Sequence, residues 1–179
     1  GCALEHLLHQ VDAAARAAKL VAQHVIGRAG GGAKAAMHTL AQDGLGRFGV
    51  ASTMLSIDDL DGLERVLGAT PTRLVVFESP TNPVLKIADI ERITSIARRH
   101  GALTLLDNTL AGLHNHGQFD VDLFAHSLTK YASGHGDVMG GAVIGRTELI
   151  DAMRSDVAIL GPTLDPHAAF LLQRGMKTY

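Results

Sequence analysis

The chain has 179 residues, 46% hydrophobic and 19% charged, which suits one domain or a large part of one and excludes a disordered tail. Sixteen basic residues against eighteen acidic ones leave a formal charge of −2, and aromatics are 4%, so neither nucleic acid nor an anionic membrane is an expected partner. One cysteine, Cys2, excludes an internal disulfide and leads us to expect a reducing, cytoplasmic setting; there is no visible signal peptide and no apolar run near the ~20 residues of a membrane span.

In chain order, residues 3–22 carry apolar residues at helical spacing with much alanine, which predicts a helix. "QHVIG" (23–27) reads as a short strand, "RAGGGAK" (28–34) as a Gly-rich turn and residues 33–42 as a weak helix. "GVASTML" (49–55) reads as a strand, after which Ser56 and Asp58–Asp59 cap a helix running to about Leu67. "TRLVVFE" (72–78) has the near-continuous apolar run of a strand buried on both faces. "ADIERITSIARRH" (88–100) is an amphipathic helix with Ile90, Ile93, Ile96 and Ala97 on one side, stopped by Gly101. Strands follow at 102–107, 122–127 and 140–145, then helices near 147–155 and 165–174. Alternation of this kind predicts an α/β fold, a mixed and mostly parallel sheet with helices on both faces.

In such sheets ligands bind at the carboxyl ends of the strands. Ser79–Asn82, Asp107–Thr109 and Ser127–Lys130 all fall there by this reading. Asp107 closes an otherwise apolar strand, where a carboxylate is costly unless it pairs with a cation or a protonated ring nitrogen. Ser127 and Thr129 flank Lys130 and have hydroxyls to offer an anion. A lysine amine forms a Schiff base with an aldehyde, and pyridoxal phosphate needs such a lysine, an acid for its ring nitrogen and donors for its phosphate.

Four segments carry a resemblance. They are "FESPTNPVLKIADI" (77–90), "LLDNTLAG" (105–112), "HSLTKYASGHGDVMGGAVIG" (126–145) and "LGPTLDPHAAFLLQRGMKT" (160–178). In this order they resemble the Cys/Met-metabolism family of pyridoxal-phosphate enzymes: cystathionine synthases and lyases, methionine γ-lyase and O-acylhomoserine sulfhydrylases. The resemblance implies the three-layer α/β/α fold type I of these enzymes, with pyridoxal 5′-phosphate as cofactor and no metal. It implies that Lys130 is the Schiff-base lysine, that Asp107 partners the pyridine nitrogen and that Ser127 and Thr129 bind the phosphate. Asn82 and Ser79 are implied to lie close to the cofactor, and Gly1-Cys2-Ala3 to form a phosphate-binding turn at a helix N-terminus. Arg174 falls in a structural segment and takes no substrate role.

The implied reaction is elimination or replacement at Cβ or Cγ of sulfur-containing or O-acylated homoserine-type amino acids, in a homo-oligomer, dimer or tetramer. Two departures stand out. The family's tyrosine followed by two glycines, whose ring stacks on the cofactor, corresponds to "RAGGGAK", which has no aromatic. The chain opens on Gly1 and ends at Tyr179, so residues 1–179 are expected to be one incomplete large cofactor domain without the family's N-terminal arm and C-terminal small domain. A catalytically degenerate member or assembly partner is the reading from another class, and a fold-type-I aminotransferase is the alternative enzyme. "GRAGGGAK" fails the phosphate-loop pattern, and "HNH" (114–116) with His126 and His135 lacks cysteine or acidic partners at a metal-binding spacing.

Overall fold

The structure is a computed structural model that describes residues 19–23 and 45–179. Residues 3–18 of the helix expected over 3–22, residues 24–27 of the strand expected over 23–27, the turn at 28–34, the weak helix at 33–42 and the Gly1-Cys2-Ala3 turn lie outside those residues. The chain divides after Thr104 into two compact units.

In the first unit, β1 (Lys19–Gln23) lies between β2 (Ala51–Leu55) and β3 (Leu74–Glu78), parallel to both, with Leu20 opposite Ser52 and Leu74. This corrects the sequence reading, which put residues 19–22 in a helix and began the strand at Gln23. The alanine-rich pattern favours a helix locally, but pairing on both edges overrides that weak preference. β3 is buried at Val75, Val76 and Phe77, as its unbroken apolar run predicts. Leu103 N–H donates to Arg73 O, which sets the start of β4 (Leu103–Asp107) beside the start of β3.

Helix α1 (Leu60–Ala69) buries Leu63 and Leu67, and α2 (Ile90–Arg99) buries the Ile90, Ile93, Ile96 and Ala97 face expected from its spacing. Glu64 of α1 takes both Arg99, at the end of α2, and His100 Nε2, the latter at 2.8 Å. Between β3 and α2 the chain from Ser79 to Ala88 closes on itself. Ser79 Oγ accepts from Ala88 N–H at 3.1 Å, and Thr81 Oγ1 accepts from Lys86 N–H at 3.0 Å.

The N-cap of α1 gives a measurable expectation. Asp59 accepts from Gly62 N–H at 2.8 Å, and a Cβ on Gly62 would lie 2.1 Å from Asp59 Oδ2. Asp59→Ala is expected to lower stability by about 1 kcal/mol, read as a shift of the urea midpoint at constant slope. Gly62→Ala, which normally strengthens a helix by about 1 kcal/mol, is expected to give no net gain because the new methyl displaces the cap.

In the second unit, β5 (Leu123–Ser127) runs parallel to the end of β4, with Asp107 opposite Ala125. β6 (Gly141–Gly145) is antiparallel to β5, with Gly141 opposite Ser127. Two 3₁₀ turns, Thr109–Ala111 and Leu113–Asn115, follow β4. α3 (Thr147–Leu160) runs five residues beyond the expected end and stops at Gly161, whose φ of 83° is left-handed. The continuation Asp156–Leu160 has no breaker before that glycine. α4 (Pro166–Gly175) starts with Pro166 in its first turn, and Asp165 accepts from His167 and Ala168 N–H at 2.9 and 3.0 Å. The strands thus make a mixed, mostly parallel arrangement with helices between them, the α/β class expected. No helix among the described residues is long and apolar enough to cross a membrane.

Candidate active site at the ends of β4 and β5

Parallel strands turn their C-terminal ends the same way, so β4 delivers Asp107 and β5 delivers Ser127 to one edge. Asp107 is half-buried, and its Oδ1 accepts from Thr109 N–H at 3.0 Å and from Thr109 Oγ1–H at 2.6 Å. Thr109 Oγ1 in turn accepts from Ser127 N–H at 2.9 Å. One hydroxyl therefore links the two strand ends and fixes the carboxylate. Both bonds use Oδ1, and among the described residues Oδ2 has no hydrogen-bond partner. The sequence placed Thr109 in the polar cluster without a role. Its position two residues past a strand-end aspartate is the signal that marks it, the spacing of a local turn closed on the carboxylate.

Ser127 Oγ likewise has no partner among the described residues. Thr129 differs from expectation. Its hydroxyl donates to Gly140 O at 3.3 Å and accepts from Gly140 N–H at 3.0 Å, so its one proton is committed to tying the Lys130 turn to the entry of β6. A phosphate would have to draw that proton away from Gly140.

Lys130 follows in the turn after β5, with its N–H donating to Ser127 O at 3.2 Å. Its side chain is exposed, and no hydrogen bond or ion pair among the described residues engages its amine. The described residues leave this lysine open to solvent. Ser79 and Asn82 belong to the first unit. Ser79 is buried and closes the 79–88 segment, whereas Asn82 is exposed and its N–H donates to Glu78 Oε2 at 3.2 Å. Gly1 and Cys2 lie outside the described residues.

The structure pairs two histidines that the sequence reading considered only as metal ligands. His116 Nε2 and His126 Nε2 are 2.6 Å apart, with their rings edge to face at 88°. At that distance one nitrogen donates and the other accepts, so the pair holds a single proton between the facing nitrogens. Burial holds both below the ordinary histidine value of 6.5; for His126 the neighbouring His116 adds to this and the Asp107 carboxylate opposes it. The unfolded chain therefore takes up protons first as pH falls. The contribution of the pair is complete above 6.5 and declines below it. Urea midpoints measured on either side of that value should fall toward acid, and His126→Gln should flatten the slope. The carboxylates of Glu64, Asp137 and Asp165 are held below their usual range, by His100, Arg174 and Ala168 N–H respectively, and act only at much lower pH. Among the described residues there is no group of three or more His, Cys, Asp or Glu side chains placed to hold a metal ion.

A carboxylate oxygen, a hydroxyl and an amine, each uncommitted and carried at or just beyond adjacent strand ends, form the donor set that pyridoxal phosphate requires: an acceptor for the ring N–H, a donor for the phosphate and a nucleophile for the aldehyde. The residues present fit that group, with Thr129 the exception noted. The class is thus an α/β protein whose strand-end donor set fits pyridoxal phosphate.

Residues 29–179 match the family described as Cys/Met metabolism PLP-dependent enzyme, and the chain belongs to that family. It is 44% identical over 140 residues to an L-methionine gamma-lyase of Pseudomonas putida, a match covering 75% of this chain and 35% of that protein. The structure superposes on a cystathionine gamma synthase from Xanthomonas oryzae pv. oryzae in complex with cystathionine, with TM-score 0.78 and 34% identity, covering 90% of this chain and 40% of the other. It also matches a putative O-acetylhomoserine (thiol)-lyase from Campylobacter jejuni that contains N′-pyridoxyl-lysine-5′-monophosphate, with TM-score 0.75 and 29% identity over 96% of this chain and 50% of that one. The chain thus spans about a third of the length of the curated relative and up to half of these structures.

Proposed function

We propose that the protein of which these residues are a part is a pyridoxal-phosphate-dependent lyase or transferase. It would carry out elimination or replacement at Cβ or Cγ of sulfur-containing or O-acylated homoserine-type amino acids. Residues 1–179 are read as an incomplete large cofactor domain, and a homo-oligomer in the cytoplasm belongs to the same reading. The observation that carries it is the relay Ser127 N–H to Thr109 Oγ1–H to Asp107 Oδ1, which leaves Asp107 Oδ2 uncommitted beside the Lys130 turn.

When bound, the cofactor supplies an electron sink for the pair left at the substrate α-carbon. Lys130 would hold the cofactor through its amine, and the same amine would move a proton at the substrate α-carbon. Asp107, oriented by Thr109, would keep a proton on the ring nitrogen through Oδ2. Ser127 donates its hydroxyl to the phosphate. Ser79 and Asn82 are assigned near the cofactor by family resemblance, as are Thr129, Gly1 and Cys2 at the phosphate.

The test is borohydride reduction of the protein loaded with pyridoxal phosphate, followed by peptide mass analysis, with release of a 2-oxo acid from methionine and cystathionine assayed in parallel. A pyridoxyl group on Lys130 together with oxo-acid release is the expected result. A pyridoxyl group on Lys19, Lys34, Lys86 or Lys177 instead overturns the reading. The open setting of Lys130 favours one second reading, a member that binds cofactor without turnover. Labelling of Lys130 without oxo-acid release would identify it.

A further inference from the structure

The turn that carries Lys130 is held at its carbonyl. Lys130 O accepts from Gly134 N–H at 3.1 Å and from Ser133 Oγ at 3.3 Å, and Ser133 Oγ also reaches Thr129 O at 3.0 Å. Ser133 itself is completely buried. Part of what covers it is the last turn of α4. A Cβ built on Gly175 would lie 2.2 Å from Ser133 O and 2.7 Å from Ala132 O, so helix and turn meet backbone to backbone where only glycine fits. One residue earlier on α4, Arg174 Nη2 donates to Asp137 Oδ2 at 2.6 Å. Between these anchors His135 Nδ1–H donates to Ser133 O at 2.7 Å. The segment Ser133–Asp137 is therefore gripped at both ends by α4, whose far end is fixed by the Asp165 cap.

We propose that Arg174 and Asp137 are positioning residues for the Lys130 amine, acting with the Gly175 seat to hold the 128–134 turn in one geometry. The inference rests on the reading of Lys130 as the cofactor lysine. Both partners of the ion pair are roughly 40% exposed, so the pair adds little to global stability; what it contributes is a fixed distance between α4 and the turn. This gives Arg174 a role where the sequence assigned it only to a structural segment.

The experiment compares the cofactor-loaded protein with Arg174→Ala, Asp137→Ala and the charge-exchanged double variant Arg174→Asp/Asp137→Arg. Two quantities are read: amide hydrogen exchange at Ser133 and Gly134, and the visible circular dichroism per bound cofactor. Each single variant is expected to speed exchange at these two amides roughly two- to fivefold, the size an exposed ion pair supports, while α1 and α2 amides are unchanged. The dichroism amplitude should fall in the singles, and both readouts should return in the double variant. Unchanged exchange and dichroism in Arg174→Ala overturn the proposal. So does equal acceleration in α1 and α2, since that reports global loosening. If borohydride leaves no pyridoxyl group on Lys130 in the parent protein, the reading of Lys130 fails separately, and the exchange comparison still decides whether the pair holds the turn.

Discussion

Lys130→Ala is expected to leave the fold intact and to remove both covalent cofactor attachment and turnover. The two outcomes separate because of where the residue sits. Its side chain is exposed and its amine has no partner among the described residues, so stability should stay within about 0.5 kcal/mol of the parent. On the proposed reading, turnover would lose both the nucleophile for the aldehyde and the base at the α-carbon; loss of the proton-transfer role alone is worth about 10²–10⁴-fold. Urea unfolding, borohydride labelling and oxo-acid release, measured on one preparation, check the three parts. A variant that still carries reducible cofactor elsewhere and still turns over would remove Lys130 from the mechanism.

Asp107→Asn should cut turnover by about 10²–10³-fold with the fold retained, the range seen when one fixed electrostatic contact to a reacting group is lost. Asparagine keeps the shape, and its carbonyl oxygen can still accept from Thr109, so the relay to Ser127 survives. What goes is the negative charge at Oδ2 that, on the proposed reading, would hold a proton on the ring nitrogen. A second readout needs no cofactor. The Asp107 carboxylate raises the His126 value against the effects of burial and His116, so its loss should push His126 further below 6.5. Histidine titration by NMR follows this directly. No movement of His126 would mean that the carboxylate does not face the pair as described.

Thr109 and Thr129 show how residue type and role come apart in this site. Both are threonines just beyond a strand, and both were placed in the polar cluster from the sequence. The fold sets Thr109 to orient Asp107 while accepting from Ser127 N–H across the β4–β5 gap, and it commits the Thr129 hydroxyl to Gly140. The i+2 spacing marks the Thr109–Asp107 bond, but the Ser127 link and the Thr129–Gly140 tie depend on which backbone group a distant segment brings within 3 Å or so.

What the sequence determined by itself is the part governed by short-range periodicity. The buried run at 74–78, the apolar face Ile90–Ile93–Ile96–Ala97, the cap at Asp59 and the strand ends at Asp107 and Ser127 follow from spacings of two and 3.6 residues and from capping chemistry, which neighbours in the chain decide. Only the tertiary structure decided that Lys19–Gln23 is a strand, that His116 and His126 share a proton, and that Gly175 and Arg174 hold the lysine turn. The physical reason is common to all three. Each rests on a contact between segments at least ten residues apart, where pairing partners, close backbone approach and burial outweigh intrinsic preferences worth only a few tenths of a kcal/mol per residue.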